Sequence, residues 1–454
     1  MRPYTSLVSS VVFPLHERLK GHRSVARRVE LEHSQWWTAA ELKQYQWTRL
    51  RGFLQDVHDN VPYYRGLFSQ RDLHPRQLAD LSELASYPLL TKSLIRANIE
   101  RLKAGNPGAL KRYNTGGSSG EPLIFFMGKD RIAHDVAAKW RATRWWDVDI
   151  GDPEIVVWGS PVELGAQDRM RAIRDALLRS ELLPAFEMSE EKLDRFVDRI
   201  RARRPAMLFG YPSSLSLIAA HAKRRRVAMD KLGIRVAFVT SERLYDHQRQ
   251  NIESVFGCRV ANGYGGRDCG FIAHDCPAGS MHISAEDIII EIIDAEGRNV
   301  PEGASGEIVV THLATRDFPF LRYRTGDIGV LSTAPCSCGR GLPVISEIQG
   351  RNTDFVIAVN GTVMHGLALI YVVRDLPGIE RFKIVQETLS RTRVLLEPGP
   401  GYDTAIQARI RKGLQDRLGS DVEIVVECVN ELGAERSGKF RYVISHVASE
   451  ALAA

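Results

Sequence analysis

Between residues 110 and 350 short apolar runs alternate with helix-patterned stretches. "EIVVWGS" (154–160), "AMLFGYPS" (206–213) and "RVAFVTSE" (235–242) each end in small or polar residues. Amphipathic segments lie between them, such as "SEEKLDRFVDRIRARR" (189–204), where Ser189 followed by Glu190 and Glu191 marks a helix start. This alternation predicts an α/β fold: a parallel sheet covered by helices, with ligands at the carboxyl ends of the strands. Residues 16–60 read as polar-amphipathic helices with Trp36, Trp37 and Trp47 as packing anchors, so 1–60 forms a helical lead-in. From 286 to 331 the pattern turns to hairpins, as in "DIIIEIIDAEGRNVPEGASGEIVVTHL". After Gly350 a smaller α+β unit is expected. Strand "DFVIAV" leads to a turn at Asn360–Gly361, strands near 381–387 and 392–397, helix 402–418 and strand 421–427. The expected domains are therefore 1–350 and 355–454, joined through 351–354.

Composition narrows the classes. With 454 residues and 44% hydrophobic content the chain can bury more than one core. The net charge of +6 is mild for this length. The basic runs "RIRARRP" (199–205) and "KRRR" (223–226) fall on amphipathic helix patterns and read as solvated faces. A nucleic-acid partner would want a longer basic stripe, so none is expected, whereas a small anionic substrate fits. No run approaches ~18 uninterrupted apolar residues, so integral membrane association is not expected. "SLVSSVVFPL" (6–15) looks like a short signal core behind Arg2, but Pro14 breaks it and no small-residue cleavage site follows. Six cysteines in so long a chain do not make a disulfide framework. A reducing, cytoplasmic compartment is expected, with the cysteines as metal ligands or core residues.

Candidate chemistry begins at "YNTGGSSGEP" (113–122). The lysine of a P-loop is missing, and the spacing is wrong for a dinucleotide fingerprint. Glycines with hydroxyls nevertheless suit a polyphosphate, which makes Thr115, Gly116, Gly117, Ser118, Ser119 and Gly120 candidate anion binders. The flanks "LKRY" and "LIFFMG" look like strand ends, so the loop should close a hairpin. "NGYGGRDCG" (262–270) offers Tyr264 to stack on a base, Gly265 and Gly266 for close backbone approach, and Asp268 for a metal ion. "YRTGD" (323–327) ends a strand in a carboxylate, which pairs well with two ribose hydroxyls. "GRNTD" (350–354) lies at the domain boundary, and "RSGKFR" (436–441) sets Lys439 in a loop. Each piece alone reads as a turn with a solvated charge.

The ordered set resembles the adenylate-forming superfamily, in particular its phenylacetate–coenzyme A ligase-like branch with the CapK-like proteins. "NVPYYRGLF" (60–68) and "YPLLTKSLIRAN" (87–98) extend the likeness over nearly the whole chain. The resemblance implies that Thr115 to Gly120 hold the β- and γ-phosphates of ATP and that Tyr264 forms the adenine pocket lined by Ser241 and Glu242. Asp268 would help bind magnesium, Asp327 the ribose, and Arg351 would lie beside the nucleotide. Asp354 resembles the hinge of a mobile C-terminal lid. Lys439 resembles the lysine that meets both the carboxylate and the α-phosphate. Tyr211, in "FGYPSS" (209–214), would line the acid pocket, where no residue dictates which acid is bound. The implied activity is ATP-dependent conversion of a carboxylic acid to its adenylate, followed by transfer to coenzyme A. Two departures stand out. Glu121 occupies a position where many members carry Lys, so it is expected to face out or to make a salt bridge. The hairpin "DFVIAVNGTVMHG" looks more like the CapK-like group. An amine or hydroxyl acceptor, an adenylylated end product, or a nucleotide-binding scaffold without chemistry therefore remain open alternatives.

Cys276 and His282, with Cys336 and Cys338 of "CSCG", supply three thiolates and an imidazole, a tetrahedral zinc set. The C-x-C spacing is tight for zinc, but "DCPAGSMH" resembles the first part of an "EC…GLH…CxCG" pattern in this branch, which implies structural zinc. Cys269 and His274 are rival ligands, and Cys258 and Cys428 read as core.

Overall fold

The computed structural model describes residues 3–115, 123–158, 169–185, 188, 190–351, 355–360, 363–365, 367–374, 376–432 and 442–447. The chain divides into two compact units. One comprises residues 1–325 and 329–348, the other 326–328 and 349–454.

In the first unit, β1 (Lys111–Asn114) and β2 (Ile124–Met127) form an antiparallel hairpin whose last pair is Asn114 with Ile124. The remaining strands are β3 (Glu154–Trp158), β4 (Ser180–Pro184), β5 (Met207–Gly210), β6 (Val236–Thr240), β7 (Arg259–Gly266) and β8 (Gly270–Asp275). They continue with β9 (Met281–Ile283), β10 (Ile288–Ile293), β11 (Gly306–His312), β12 (Phe320–Leu331) and β13 (Val344–Arg351), of which residues 326–328 and 349–351 are assigned to the second unit. All eleven from β3 onward join one sheet in the order β10-β11-β12-β13-β9-β8-β7-β6-β5-β3-β4. The hairpin region thus continues the parallel sheet.

β4, β3, β5, β6 and β7 run parallel, and β8 and β9 follow antiparallel. β6 reads VAFVT and is buried at every position, the continuous apolar run required of a parallel strand covered on both faces. The helix Glu190–Arg203 buries Leu193, Phe196, Val197 and Ile200 as one stripe. Arginines of the two basic runs are held in ion pairs. Arg199 and Arg203 bind Glu181 at 2.6 and 2.5 Å, and Arg225 binds Asp194 at 3.0 Å.

A second core lies under the helices Ala39–Asn60 and Pro62–Gln70. Thr38 and Glu41 start the first of these with a reciprocal capping box. Trp37 and Trp47 pack against this core as expected. Trp36 does not: it is exposed, with the Arg340 guanidinium 4.9 Å from its ring. Trp36 and Trp37 lie in the turn between the helices Ser24–Ser34 and Ala39–Asn60, where successive side chains point in different directions, so only part of the aromatic cluster faces inward. The segment 87–90 is tied to β12, because Leu90 donates to the Arg322 carbonyl at 2.9 Å while Arg322 donates to the Tyr87 carbonyl at 2.6 Å. The helix Arg169–Leu178 and β4 have no counterpart in the sequence-based expectations.

In the second unit, β14 (Phe355–Ile357) pairs with β15 (Val363–His365). β16 (Ile379–Thr388), β17 (Arg391–Pro398), β18 (Glu423–Cys428) and β19 (Val443–Ser445) form a sheet ordered β18-β17-β16-β19. The helix Ala405–Leu418 buries Ile406, Ile410, Leu414 and Leu418. The buried Gln386 amide bonds both backbone groups of Ile357 (3.1 and 2.6 Å) and the Ser445 hydroxyl (2.8 Å), fastening β14 and β19 to β16.

Candidate functional site

The chain leaves β3 for β4 on one side and then crosses back to β5 on the other. Connections from β3 and β5 therefore depart in opposite directions, the topological switch point where open parallel sheets bind ligands at their carboxyl ends. Trp158 ends β3 and Tyr211 follows β5, and their rings stack there with centroids 4.3 Å apart. Tyr211 is buried, and a Cβ at the preceding Gly210 would strike the carbonyl of Val157.

One strand over, Ser241 directly follows β6 with φ of +71°. A non-glycine residue rarely holds this conformation, and such strain concentrates at functional sites. Glu242 comes next, and its carboxylate accepts from the Ser213 N–H at 3.3 Å across the crevice edge.

β7 ends in Tyr264–Gly265–Gly266, with a bulge between Tyr264 and Gly265, and a turn over residues 267–269 leads into β8. Only glycine fits at 265, because a Cβ would collide with the carbonyl oxygen of Gly270. The turn presents Asp268, oriented from both sides: Cys269 N–H donates to Oδ1 at 3.1 Å and Tyr323 OH donates to Oδ2 at 2.6 Å. Buried Arg131 holds the backbone behind it, donating to the carbonyls of Asp268 (3.2 Å) and Arg267 (3.3 Å). Arg267 in turn donates to the Asn114 carbonyl at 3.4 Å, linking this turn to the β1–β2 hairpin.

Thr115 stands at the mouth of that hairpin. Its N–H donates to the Leu123 carbonyl at 3.0 Å and its hydroxyl accepts from the Leu123 N–H at 2.9 Å. The hydroxyl thus closes the loop base, a role the sequence did not distinguish from phosphate binding. Gly116, Gly117, Ser118, Ser119, Gly120 and Glu121 lie outside the described residues, as do Asp354 and Lys439. Asp327 is half-buried on β12 directly after Gly326, whose φ is +76°. Arg351 ends β13. The structure adds Arg131, Arg267 and Tyr323 to the site. Tyr323 had a signal in the sequence, since it opens the YRTGD stretch. Arg131 had none, because its function depends on a helix packing against a turn 136 residues away.

Cys276, His282, Cys336 and Cys338 converge separately, with ligand atoms all within 4.8 Å of one another. Cys276 and Cys336 sulfurs are 3.6 Å apart, and Cys338 sulfur is 3.2 Å from His282 Nε2. Tetrahedral zinc with Zn–S near 2.3 Å spaces its sulfurs by about 3.8 Å, so the set has the right size. His282 Nδ1 donates to the Leu342 carbonyl at 3.1 Å, which leaves Nε2 unprotonated toward the cysteines. Burial pushes the Cys276 thiol up to about 11. Cys336 is lowered despite burial, through hydrogen bonds from Ser280 and Cys338. Of the rivals, Cys269 lies beside Asp268 at 3.6 Å; His274 is the cross-strand partner of His282, packed on the Trp145 ring at 4.7 Å, and is not one of the four converging ligands. Cys258 is buried, but Cys428 is exposed and donates to Tyr402 OH at 3.2 Å, so it is not a core residue. It sits at the end of β18, where the outward half of the strand alternation faces solvent.

The model of the AMP-binding enzyme family matches residues 182–314, and that of the CapK C-terminal domain matches residues 356–446. Together with relatives at modest identity, these matches support assignment to the adenylate-forming superfamily, in its phenylacetate–coenzyme A ligase-like branch near CapK. Protein CapK of Staphylococcus aureus is 22% identical over 411 residues, 90% of each chain. Phenylacetate-coenzyme A ligase of Pseudomonas putida is 27% identical over 323 residues, 70% of this chain and 72% of that one. Among solved structures, 2-hydroxyisobutyryl-CoA ligase in the postadenylation state superposes with a TM-score of 0.72 at 20% identity, covering 90% of each chain.

Proposed function

We propose that the protein activates a carboxylic acid with ATP and transfers the acyl or aryl group to coenzyme A. The observation that carries this is the switch-point crevice, where strained Ser241 and Glu242 follow β6 and Tyr264–Gly266 end the adjacent parallel β7, within the AMP-binding match. In the first half-reaction a carboxylate oxygen bonds to the α-phosphorus of ATP while the bond to the bridging oxygen breaks and pyrophosphate leaves. Tyr264 stacks on adenine, Asp327 takes the ribose hydroxyls, and the loop from Thr115 to Gly120 cradles the phosphates. Tyr211 and Trp158 form a wall for the acid. Lys439, positively charged at neutral pH, faces the negative charge that builds on the phosphoryl oxygens. In the second half-reaction the coenzyme A sulfur bonds to the acyl carbon and AMP leaves. A lid carrying Lys439 must withdraw to admit this nucleophile, with Asp354 as its pivot.

Asp268 fits magnesium: a carboxylate oriented by Tyr323 and Cys269 is a hard oxygen donor. When bound, the ion would neutralise charge on the departing phosphates. The three thiols and imidazole fit zinc in a closed, structural site with no position for a reacting water.

A second reading keeps the adenylation and replaces coenzyme A with an amine or hydroxyl acceptor. It is favoured by the CapK C-terminal domain match over residues 356–446. ATP–pyrophosphate exchange across a panel of carboxylic acids tests the adenylation, and its absence with every acid refutes both readings. With an active acid in hand, thioester formation on adding coenzyme A separates them.

A further inference from the structure

The helical run over residues 3–19 is packed inside out. It comprises Pro3–Leu7, a π turn at Val8–Val12 and Phe13–Leu19. Much of its inward face is polar. Thr5 donates to buried Asp152 at 2.9 Å, and Ser9 is buried. Glu17 is also buried, accepting from Ser24 OH at 2.5 Å and pairing with His22 at 3.1 Å. Val8 and Phe13 are the buried apolar residues, the latter edge-on to Trp140 at 5.1 Å. The outward face carries the aliphatics: Leu7 is 51% exposed, Val11 54%, Leu15 57% and Leu19 81%. A surface helix ordinarily turns such a row toward the core.

The row is also kept straight. Positions four apart drift about 40° per step on an α-helix. The i→i+5 turn at Val8–Val12 under-winds the run and offsets that drift. It precedes Pro14, which has no N–H for a regular helix interior. Tyr4 OH donates to the Leu177 carbonyl at 2.9 Å, which brings a second helix alongside, with Ile173 and Leu177 exposed on it. Cations rim the row. Arg18, Lys20 and Arg23 are exposed at its end, and the Arg179 guanidinium lies 5.1 Å from the Tyr4 ring. Partial burial lowers the Lys20 pKa; the Glu17 carboxylate opposes this, and the charges of Arg174 and Lys111 lower it further. The acids on the two helices are engaged, Glu17 internally and Asp175 with Arg174 at 2.5 Å.

We propose that this face docks on an anionic lipid bilayer, with the run 3–19 lying in the interfacial plane. A straight aliphatic row flanked by Arg and Lys matches an interface whose acyl boundary takes the leucines and whose headgroups take the cations. The attachment is peripheral: among the described residues no helix is long and apolar enough to cross a membrane. It is independent of the proposed chemistry, since none of these residues belongs to the ATP crevice.

Flotation of the full chain with phosphatidylglycerol vesicles, against phosphatidylcholine vesicles, tests it. Binding is expected to the former and loss of it in about 1 M NaCl, where the screening length falls to about 3 Å. Leu15→Ser with Leu19→Ser should lower vesicle partitioning at least ~10-fold, and Arg18→Glu with Lys20→Glu should do the same. The melting temperature should hold in both variants, because all four side chains are exposed. Failure to float with either vesicle, or equal binding to both lipids, overturns the proposal. So does a concentration-dependent dimer in sedimentation that Leu15→Ser with Leu19→Ser abolishes, because a second copy would then own the face.

Discussion

Removing one oxygen, in Tyr323→Phe, isolates the positioning of Asp268. Tyr323 is fully buried and its hydroxyl donates to Asp268 Oδ2 at 2.6 Å, the short distance of a charge-assisted bond. Phenylalanine keeps the ring and its packing at 5.1 Å against Phe320, so the change deletes the donor and little else. A hydrogen bond to a charged group contributes roughly 1.5–3 kcal/mol, or about 10- to 150-fold in an equilibrium constant. Cys269 N–H still holds Oδ1, so partial orientation survives and the low end applies. If Asp268 anchors magnesium, MgATP affinity should fall about 10-fold in Tyr323→Phe, whereas affinity for ATP without divalent cation should be nearly unchanged. Isothermal titration reads both without knowledge of the acid. Unchanged MgATP affinity, or an equal loss with and without magnesium, would refute the positioning of Asp268 by Tyr323.

Lys439→Ala should leave ATP binding nearly intact while pyrophosphate exchange falls at least ~10²-fold, the scale for one transition-state donor; exchange near the native rate contradicts the assignment. Purified protein should carry about one zinc per chain. Cys336→Ser should lose it and melt at a lower temperature, because binding energy at a structural site is folding energy. Below its melting point that variant should still adenylate, and stoichiometric zinc in it would remove Cys336 from the ligand set. His312 is buried, and burial followed by the charge of Arg131 holds its pKa well below 6.5. The folded chain refuses a proton that the unfolded chain accepts, so stability is lost as pH falls below about 6.5, by up to about 1.4 kcal/mol per pH unit. His312→Asn, which can still accept from the Ala314 N–H that now donates at 3.3 Å, should flatten the decline of melting temperature between about pH 6.5 and 5. An identical slope refutes this.

The sequence by itself determined the elements whose pattern is local. β3, β5 and β6 lie in short apolar runs bounded by small or polar residues, and the helix Glu190–Arg203 carries its buried stripe at helical spacing. The hairpin flanking the glycine-rich loop was legible for the same reason, as were the zinc-type ligands, because cysteines are scarce enough to count. Tertiary structure decided what depends on residues distant in the chain. β4 and the helix before it were missed because "SELLP" is short and acidic, and it becomes a strand by pairing with β3. Joining the β10–β13 region to the parallel sheet needed the β9–β13 pairing, and no local signal encodes it. Tertiary pairing likewise brings Cys276, His282, Cys336 and Cys338 within 4.8 Å of one another, although 60 residues separate Cys276 from Cys336. Tyr323 and Arg131 orient Asp268 only once β12 and the helix Lys129–Arg144 pack around the turn. The leucines of residues 3–19 show the limit most plainly. Their apolarity was visible as a possible signal core, but which face they occupy was fixed by polar anchors at Asp152 and Ser24, far from any hydrophobic period.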